Sequence, residues 1–151
     1  MLPKKEPDVF DKEKLQQDIS ILPESYSIKQ IDETIYHRCQ TMNWSKDLVS
    51  GYSDYETYNR LGLGFVILTG EEIISGAYSY SSYLNGIEIE IDTQEPYRRK
   101  GLAYICGARL ILECLAKNLY PSWDAQNKWS LSLAEKLGYH YSHEYVAYEI
   151  W

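Results

Sequence analysis

Ile87-Glu88-Ile89-Glu90-Ile91-Asp92-Thr93 runs through Gln94-Glu95-Pro96-Tyr97 into Arg98-Arg99-Lys100-Gly101-Leu102-Ala103, and this stretch decides the fold. Its first seven residues alternate strictly. Ile87, Ile89, Ile91 and Thr93 share one face and Glu88, Glu90 and Asp92 the other, which is the period of a half-buried strand. Its end is a basic turn with one glycine, followed by a helical pattern that reaches about Asn118. A strand, a short basic turn and a helix start make an anion cradle: the first N–H groups of a helix lack acceptors, and the dipole favours negative charge there. Gly101 lets backbone approach such an anion with no Cβ in the way. The helix reads with Ile105, Ala108, Leu112, Leu115 and Leu119 as its buried stripe, and with Glu113 and Lys117 paired on its wet side.

Working outward, Tyr26–Gln30 reads as a strand and Ile31–Gln40 as a helix. Phe65–Leu68 and Ile73–Tyr78 form a hairpin across Thr69-Gly70, and Asn85-Gly86 marks a turn. Tyr120–Trp123 reads as a short strand, Asn127–Leu137 as a helix closed by Gly138, and Tyr145–Trp151 as a last strand. The order β-α-(α)-β-β-β-α-β-α-β predicts an α/β chain of the α+β, mixed-sheet kind, a β-meander followed by βαβ and αβ. Residues 1–23, broken by Pro3, Pro7 and Pro23, read as a leader outside the main core. Within it Asp11 caps a short helix; residues 24–151 read as the domain.

A chain of 151 residues suits one core. A formal net charge of -7 leaves no broad cationic face for a phosphate backbone, so no nucleic-acid partner is expected and Arg98–Lys100 is a local exception. Fifteen tyrosines against two phenylalanines point to half-buried rings along a sheet edge or groove. Cys39, Cys106 and Cys114 lack ligand spacing and read as small buried residues of a reducing compartment; His37, His140 and His143 show no ligand spacing either, so no metal is expected. No apolar run nears the roughly 20 residues of a membrane span, and no signal-peptide core is visible, so a cytoplasmic location without a membrane partner is expected.

Arg98-Arg99-Lys100-Gly101-Leu102-Ala103 fits the pattern Gln/Arg-x-x-Gly-x-Gly/Ala, and it is trailed by Asn127-Lys128-Trp129-Ser130 and Leu133-Ala134-Glu135-Lys136-Leu137-Gly138-Tyr139. On these residues the chain resembles the GNAT N-acetyltransferase superfamily over roughly residues 24–151. Leu119-Tyr120-Pro121-Ser122-Trp123-Asp124-Ala125-Gln126-Asn127 is further similar to the zwittermicin A resistance type of acetyltransferase. The resemblance implies a GNAT fold whose central strand pair splays, here between Ile87–Thr93 and Tyr120–Trp123. It implies acetyl-CoA as cofactor, its pyrophosphate at Arg98, Arg99, Lys100, Gly101, Leu102 and Ala103. The pantetheine would follow the strand edge at Ile91 and Thr93, and Asn127 and Ser130 would touch the cofactor.

The same resemblance implies a catalytic glutamate on the strand before the cradle, Glu90 or Glu88, that takes the amine proton through water. The family's usual acid, a tyrosine seven residues after the asparagine, is replaced here by Ala134, so Tyr139 or water stands in for it. Trp123 and Asp124 are expected to line the acceptor pocket. The implied reaction is direct acetyl transfer to a primary amine of a small cationic molecule, drawn in by Glu88, Glu90 and Asp92. The alternatives are a silent acyl-CoA-binding or interaction module and a protein or peptide N-acetyltransferase. A bare strand at the end of the sheet is compatible with a homodimer.

Overall fold

In the computed structural model, residues 10–123 and 128–139 are described, with side chains from residue 132 onward in the second segment. Three helices start on the same device, an aspartate just before the first turn. Asp11 accepts from the Lys14 N–H and begins α1 (Lys12–Ser20), Asp32 accepts from the Ile35 N–H and begins α2 (Glu33–Gln40), and Asp54 accepts from the Thr57 N–H and begins α3 (Tyr55–Leu61). The second helix therefore starts two residues later than Ile31. The Ile31 N–H is held by the Gly64 carbonyl at 2.9 Å, which keeps that residue on the sheet.

The sheet has five strands in the order β1 (Tyr26–Gln30), β2 (Gly64–Thr69), β3 (Glu72–Tyr83), β4 (Gly86–Thr93), β5 (Tyr120–Ser122). The first four are antiparallel neighbours, and β5 joins β4 in parallel. This is the mixed sheet expected. β3 runs five residues beyond Tyr78, with a register shift between Ser79 and Ser81. The alternating Ser/Tyr run hid that extension from an apolar count, although tyrosine suits a strand. Asn85 takes the left-handed conformation expected of the Asn-Gly turn, at φ 68°.

Alternation along the strands feeds two cores. Phe65, Ile67, Ile74, Ala77, Ile87, Ile89 and Ile91 face α4 (Leu102–Ala116), whereas Val66, Leu68, Ile73 and Tyr78 face α2, α3 and the 3₁₀ turn Lys46–Val49. The expected stripe of α4 needs correction. Leu112, Leu115 and Leu119 are half-buried, and the fully covered face carries Cys106, Leu110, Ile111 and Cys114 with Ile105 and Ala108. α4 is covered on two sides, by the sheet and by α1 and α5 (Lys128–Leu137). Burial pushes the thiols of Cys39, Cys106 and Cys114 up to about 12, so all three are inert packing groups at neutral pH.

The first residues described are part of this core rather than a leader beside it. Phe10 is 4% exposed, Leu15 is 2% exposed, and Phe10 stacks edge-on to Tyr139 at 5.1 Å between ring centres. The physical reason is the apolar breadth of α4, which the sheet alone does not cover. Gly138, at φ 118°, ends α5, and the Tyr139 N–H returns to the Ala134 carbonyl. The expected strand Tyr145–Trp151, and with it the edge on which a homodimer was expected, lies outside the described residues. Among those described, no helix is long and apolar enough to cross a membrane. Leu15→Ala should lower the stability of the chain by about 2–5 kcal/mol in a denaturant or thermal melt; a loss under about 0.5 kcal/mol would show α1 to be peripheral.

Candidate active site

β4 pairs with β5 through Gly86–Tyr120, Ile87–Pro121 and Glu88–Ser122 and no further. The Tyr120 N–H bonds the Asn85 carbonyl at 2.8 Å and the Gln94 N–H bonds the Ile74 carbonyl at 2.8 Å, which fixes which backbone groups face which neighbour. By strand alternation the N–H groups of Ile87, Ile89, Ile91 and Thr93 point toward the β5 side. The last two stand beyond the final residue pair with β5. Among the described residues, Ile91 and Thr93 therefore lie on a stretch of the β4 edge that β5 does not pair.

At the end of β4 the chain turns through a 3₁₀ turn (Glu95–Tyr97) into the basic segment. Arg99 (φ 65°) and Gly101 (φ 77°) are both left-handed, and Gly101 occupies the cap position of α4. A Cβ built on Gly101 meets no protein atom within 4 Å, so what glycine supplies here is its φ and an unobstructed approach to the backbone. The N–H groups of Leu102, Ala103 and Tyr104 open the helix and have no intrahelical acceptor. Beside them lies a cleft of about 700 Å³ lined by Asp92, Thr93, Arg98, Arg99, Gly101, Leu102, Ala103, Ser132, Leu133 and Lys136, with the rings of Tyr97 and Tyr104.

Arg98 is tied to the strand end. Its Nε donates to the Thr93 carbonyl at 3.0 Å, and its guanidinium lies 3.9 Å from the Asp92 carboxylate. Asp92 also accepts the Thr93 N–H at 2.9 Å. Its half-buried position raises its pKa through lost hydration, against the lowering effects of that N–H and of Arg98.

On the opposite face of β4 from α4, Glu90 sits across from Tyr78 in register and accepts a hydrogen bond from the Trp123 indole at 3.1 Å. Glu88, half-buried, lies within the paired part of the sheet between Ser81 and Ser122. Trp123 is 2% exposed and stacks edge-on to Tyr139, so it does not form an open wall of an acceptor pocket; it reaches the site through its indole N–H. The Tyr139 hydroxyl donates to the Pro121 carbonyl, deep in the core, and Ala134 is fully buried on α5. Tyr83 covers Gly86 and hydrogen-bonds Ser122 across the sheet, while Tyr80 is exposed beside the β3 bulge. Asp124 and Asn127 lie outside the described residues; Ser130 belongs to α5, whose first four side chains are not described.

Lys136, Ser132, Tyr97 and Tyr104 were missed by sequence reasoning. Ser132 and Lys136 lie four apart on α5, one turn of a helix, and that spacing was the available signal. Tyr97 and Tyr104 flank the basic turn and carried no pattern of their own. Among the described residues no group of three His, Cys, Asp or Glu side chains is placed to hold a metal ion.

The family model for GNAT acetyltransferase matches residues 2–148. The N-acetyltransferase YdfB of Bacillus subtilis (strain 168), itself uncharacterised, is 34% identical over 129 residues, 84% of this chain and 49% of that protein. A GCN5-related N-acetyltransferase-like protein from Streptococcus suis 89/1591 superposes with a TM-score of 0.88 at 52% identity, over 92% of this chain and 55% of that one. A structure from Clostridium acetobutylicum, described as an acetyltransferase with acetyl-CoA, shares the fold at a TM-score of 0.58 and 15% identity, over 79% of this chain and 92% of that one. The chain belongs to the GNAT acetyltransferase family. It spans about half the length of YdfB and of the Streptococcus suis protein.

Asp92 yields a prediction about pH. Its carboxyl binds a proton more readily folded than unfolded, so its contribution to stability falls as pH rises from 3.8, the ordinary value, through the raised native value. Asp92→Asn should remove that loss, flattening the pH dependence of the melting temperature above pH 3.8 and leaving the neutral-pH melting temperature equal or higher. A lower neutral-pH melting temperature would mean that the bonds to Arg98 and Thr93 outweigh the lost hydration.

Proposed function

We propose that this chain binds acetyl-CoA in the cleft beside Gly101 and transfers the acetyl group directly to a primary amine of a small cationic molecule. The observation that carries the reading is the conjunction of two half-sites on one strand. The cradle of Arg99, Gly101 and the α4 N-terminus begins at one end of β4, and Glu90 stands on the same strand at the edge of the unpaired region. The cradle fits coenzyme A by its donors. Backbone N–H groups from about Arg99 to Ala103 would hold the pyrophosphate, with Arg98, Arg99, Lys100 and Lys136 adding charge. Ile91 would offer its backbone N–H to the pantetheine, and Thr93 would offer its N–H to the acyl oxygen by exchanging it from the Asp92 carboxylate, which holds it at 2.9 Å. The cofactor supplies an activated thioester.

Of the two glutamates, Glu90 is the one we assign as the base. Glu88 lies inside the paired sheet, whereas Glu90 follows the last β4–β5 pair and is oriented by the Trp123 indole. Trp123 is then a positioning residue. Tyr139 is assigned the same kind of role, because its hydroxyl proton is engaged by the Pro121 carbonyl and it holds β5 against the core. The leaving thiolate would take its proton from solvent. The burial of Ala134, where the family places a tyrosine, favours a second reading, binding of acyl-CoA without transfer.

Two measurements separate these readings. Acetyl-CoA should bind in calorimetry, and Gly101→Glu should weaken that binding at least about tenfold, by strain at φ 77° and by charge repulsion. Thiol release on a library of small amines should then appear, with Glu90→Gln lowering kcat by about 10²–10⁴-fold while the KM for acetyl-CoA changes little. Binding without release on any amine would support the silent module; absence of binding would remove both readings.

A further inference from the structure

The turn at Gly101 borders a second cavity that the scheme above does not use. It holds about 930 Å³, inside the ~300–1,000 Å³ usual for small-molecule sites, and is lined from α1, the start of α4 and the last turn of α5. It shares Gly101, Leu102, Tyr104 and Lys136 with the cleft already described. From those residues the first cleft continues to Asp92 and Thr93 of β4, and the second to Lys14 and Asp18 of α1 and Tyr26 of β1. The charge of the second cavity is opposite to that of the chain. Three ammonium groups line it, those of Lys14, Lys100 and Lys136, against the one carboxylate of Asp18, in a protein of net charge -7. Lys14 is not a loose surface cation. Its Nζ donates to Asp18 at 2.8 Å and to the Tyr104 hydroxyl at 3.0 Å, and that hydroxyl donates to the same carboxylate oxygen. An ammonium has three hydrogens, so the ion is fixed by two and keeps one without an acceptor among the described residues. Lys100 and Lys136 have no carboxylate partner among the described residues. Ile21, 71% exposed, Pro23 and the half-buried ring of Tyr26 add an apolar wall. Cations from three elements beside an apolar wall fit an aromatic group that carries a phosphate, whereas a bare inorganic anion would leave the wall wet.

We propose that this cavity is the subsite for the 3′-phosphorylated adenosine end of coenzyme A, and that Lys14, with Lys100 and Lys136, makes the chain prefer acetyl-CoA to its form without that phosphate. The inference rests on the cofactor reading above. With the pyrophosphate at Gly101 and the pantetheine along β4, the cavity that shares the Gly101 turn is what remains for the nucleoside. A phosphate monoester brings about -1.5 to -2 charges at neutral pH, which three ammonium groups match and one pyrophosphate cradle does not. Asp18 and Tyr104 act through Lys14 and are positioning residues: they hold its ammonium in place and leave a hydrogen for the phosphate. The base covers Ile21 and Tyr26. A ligand without the 3′-phosphate leaves the ammonium groups unmatched, so the preference follows from the cavity's own charge. In this scheme α1 is a wall of the cofactor site as well as part of the core.

The test is calorimetry on the full chain with acetyl-CoA, acetyl-3′-dephospho-CoA, adenosine 3′,5′-bisphosphate and adenosine 5′-monophosphate. Acetyl-CoA is expected to bind about tenfold or more tighter than the dephospho form, and the bisphosphate to exceed the monophosphate by a similar factor. Lys14→Gln and Lys136→Gln, on different helices, should each cut that preference about threefold or more. The charge-matched control Lys12→Gln, exposed on α1 and outside the cavity, should leave it as it is, which separates the subsite from a change of net charge. The preference is a ratio, so a general loss of folded protein lowers both affinities and does not move it. Equal affinity for acetyl-CoA and its dephospho form, or a preference that survives both Lys14→Gln and Lys136→Gln, overturns the proposal and leaves the cofactor reading in place. Lysine-dependent binding of the bisphosphate, with acetyl-CoA bound no tighter than the bisphosphate, upholds the subsite and removes the cofactor reading instead. No binding of any of these compounds overturns both.

Discussion

The structure turns on how short the parallel pairing of β4 with β5 is. Three residue pairs close the sheet at Gly86–Glu88, and among the described residues no strand takes up the backbone N–H groups on the β5 side of the second half of β4. Unpaired sheet backbone is ordinarily a liability, because it must find an acceptor or stay wet. Here the neighbouring elements manage it. Asp92 folds back onto the Thr93 N–H, and Arg98 takes the Thr93 carbonyl. Tyr139 and Tyr83 clamp Pro121 and Ser122 of β5, so the closed half of the pair is fixed from both faces. The opening is thus held by bonds on either side of it and does not depend on a loose strand.

Most of the architecture was legible because β4 states both of its environments in its own sequence. The isoleucines of β4 are covered by α4 and its acids look the other way, as a period of two demands. Tyr26–Gln30 and the cradle glycine were legible for similar local reasons. What was not legible depended on tertiary cover. The buried face of α4 includes Cys106 and Cys114 and excludes Leu112, because α1 wraps a helix that is apolar around more than half its circumference. The same cover makes Phe10 and Leu15 core residues in a segment whose prolines and charges read as a leader.

The site was read unevenly for a related reason. Backbone-borne function is written in conformation: Gly101 and the alternation of β4 announced the cradle and the opening. Side-chain roles depend on what else reaches the same atom, which no local pattern encodes. Tyr139 was near the right place in sequence, yet its hydroxyl goes to Pro121. Trp123 resembled a pocket wall and is instead a core ring whose indole N–H orients Glu90.

Arg98 joins these two kinds of site into one. It sits in the cationic turn that an anion would occupy, yet its guanidinium is directed back to Asp92 and to the carbonyl of Thr93. Neither contact alone holds much, since an exposed ion pair contributes about 0–1 kcal/mol. Together they set a boundary of charge along β4, positive on the side of the α4 N-terminus and negative from Asp92 back to Glu90. A bound anion and a bound cation would then be drawn to opposite ends of the same stretch, because the sign of the field changes within a few residues. Replacing Arg98 would do more than remove one donor from the cradle. It would leave Asp92 with a single partner, its own Thr93 N–H, and move that boundary toward the turn where the anion is to be held.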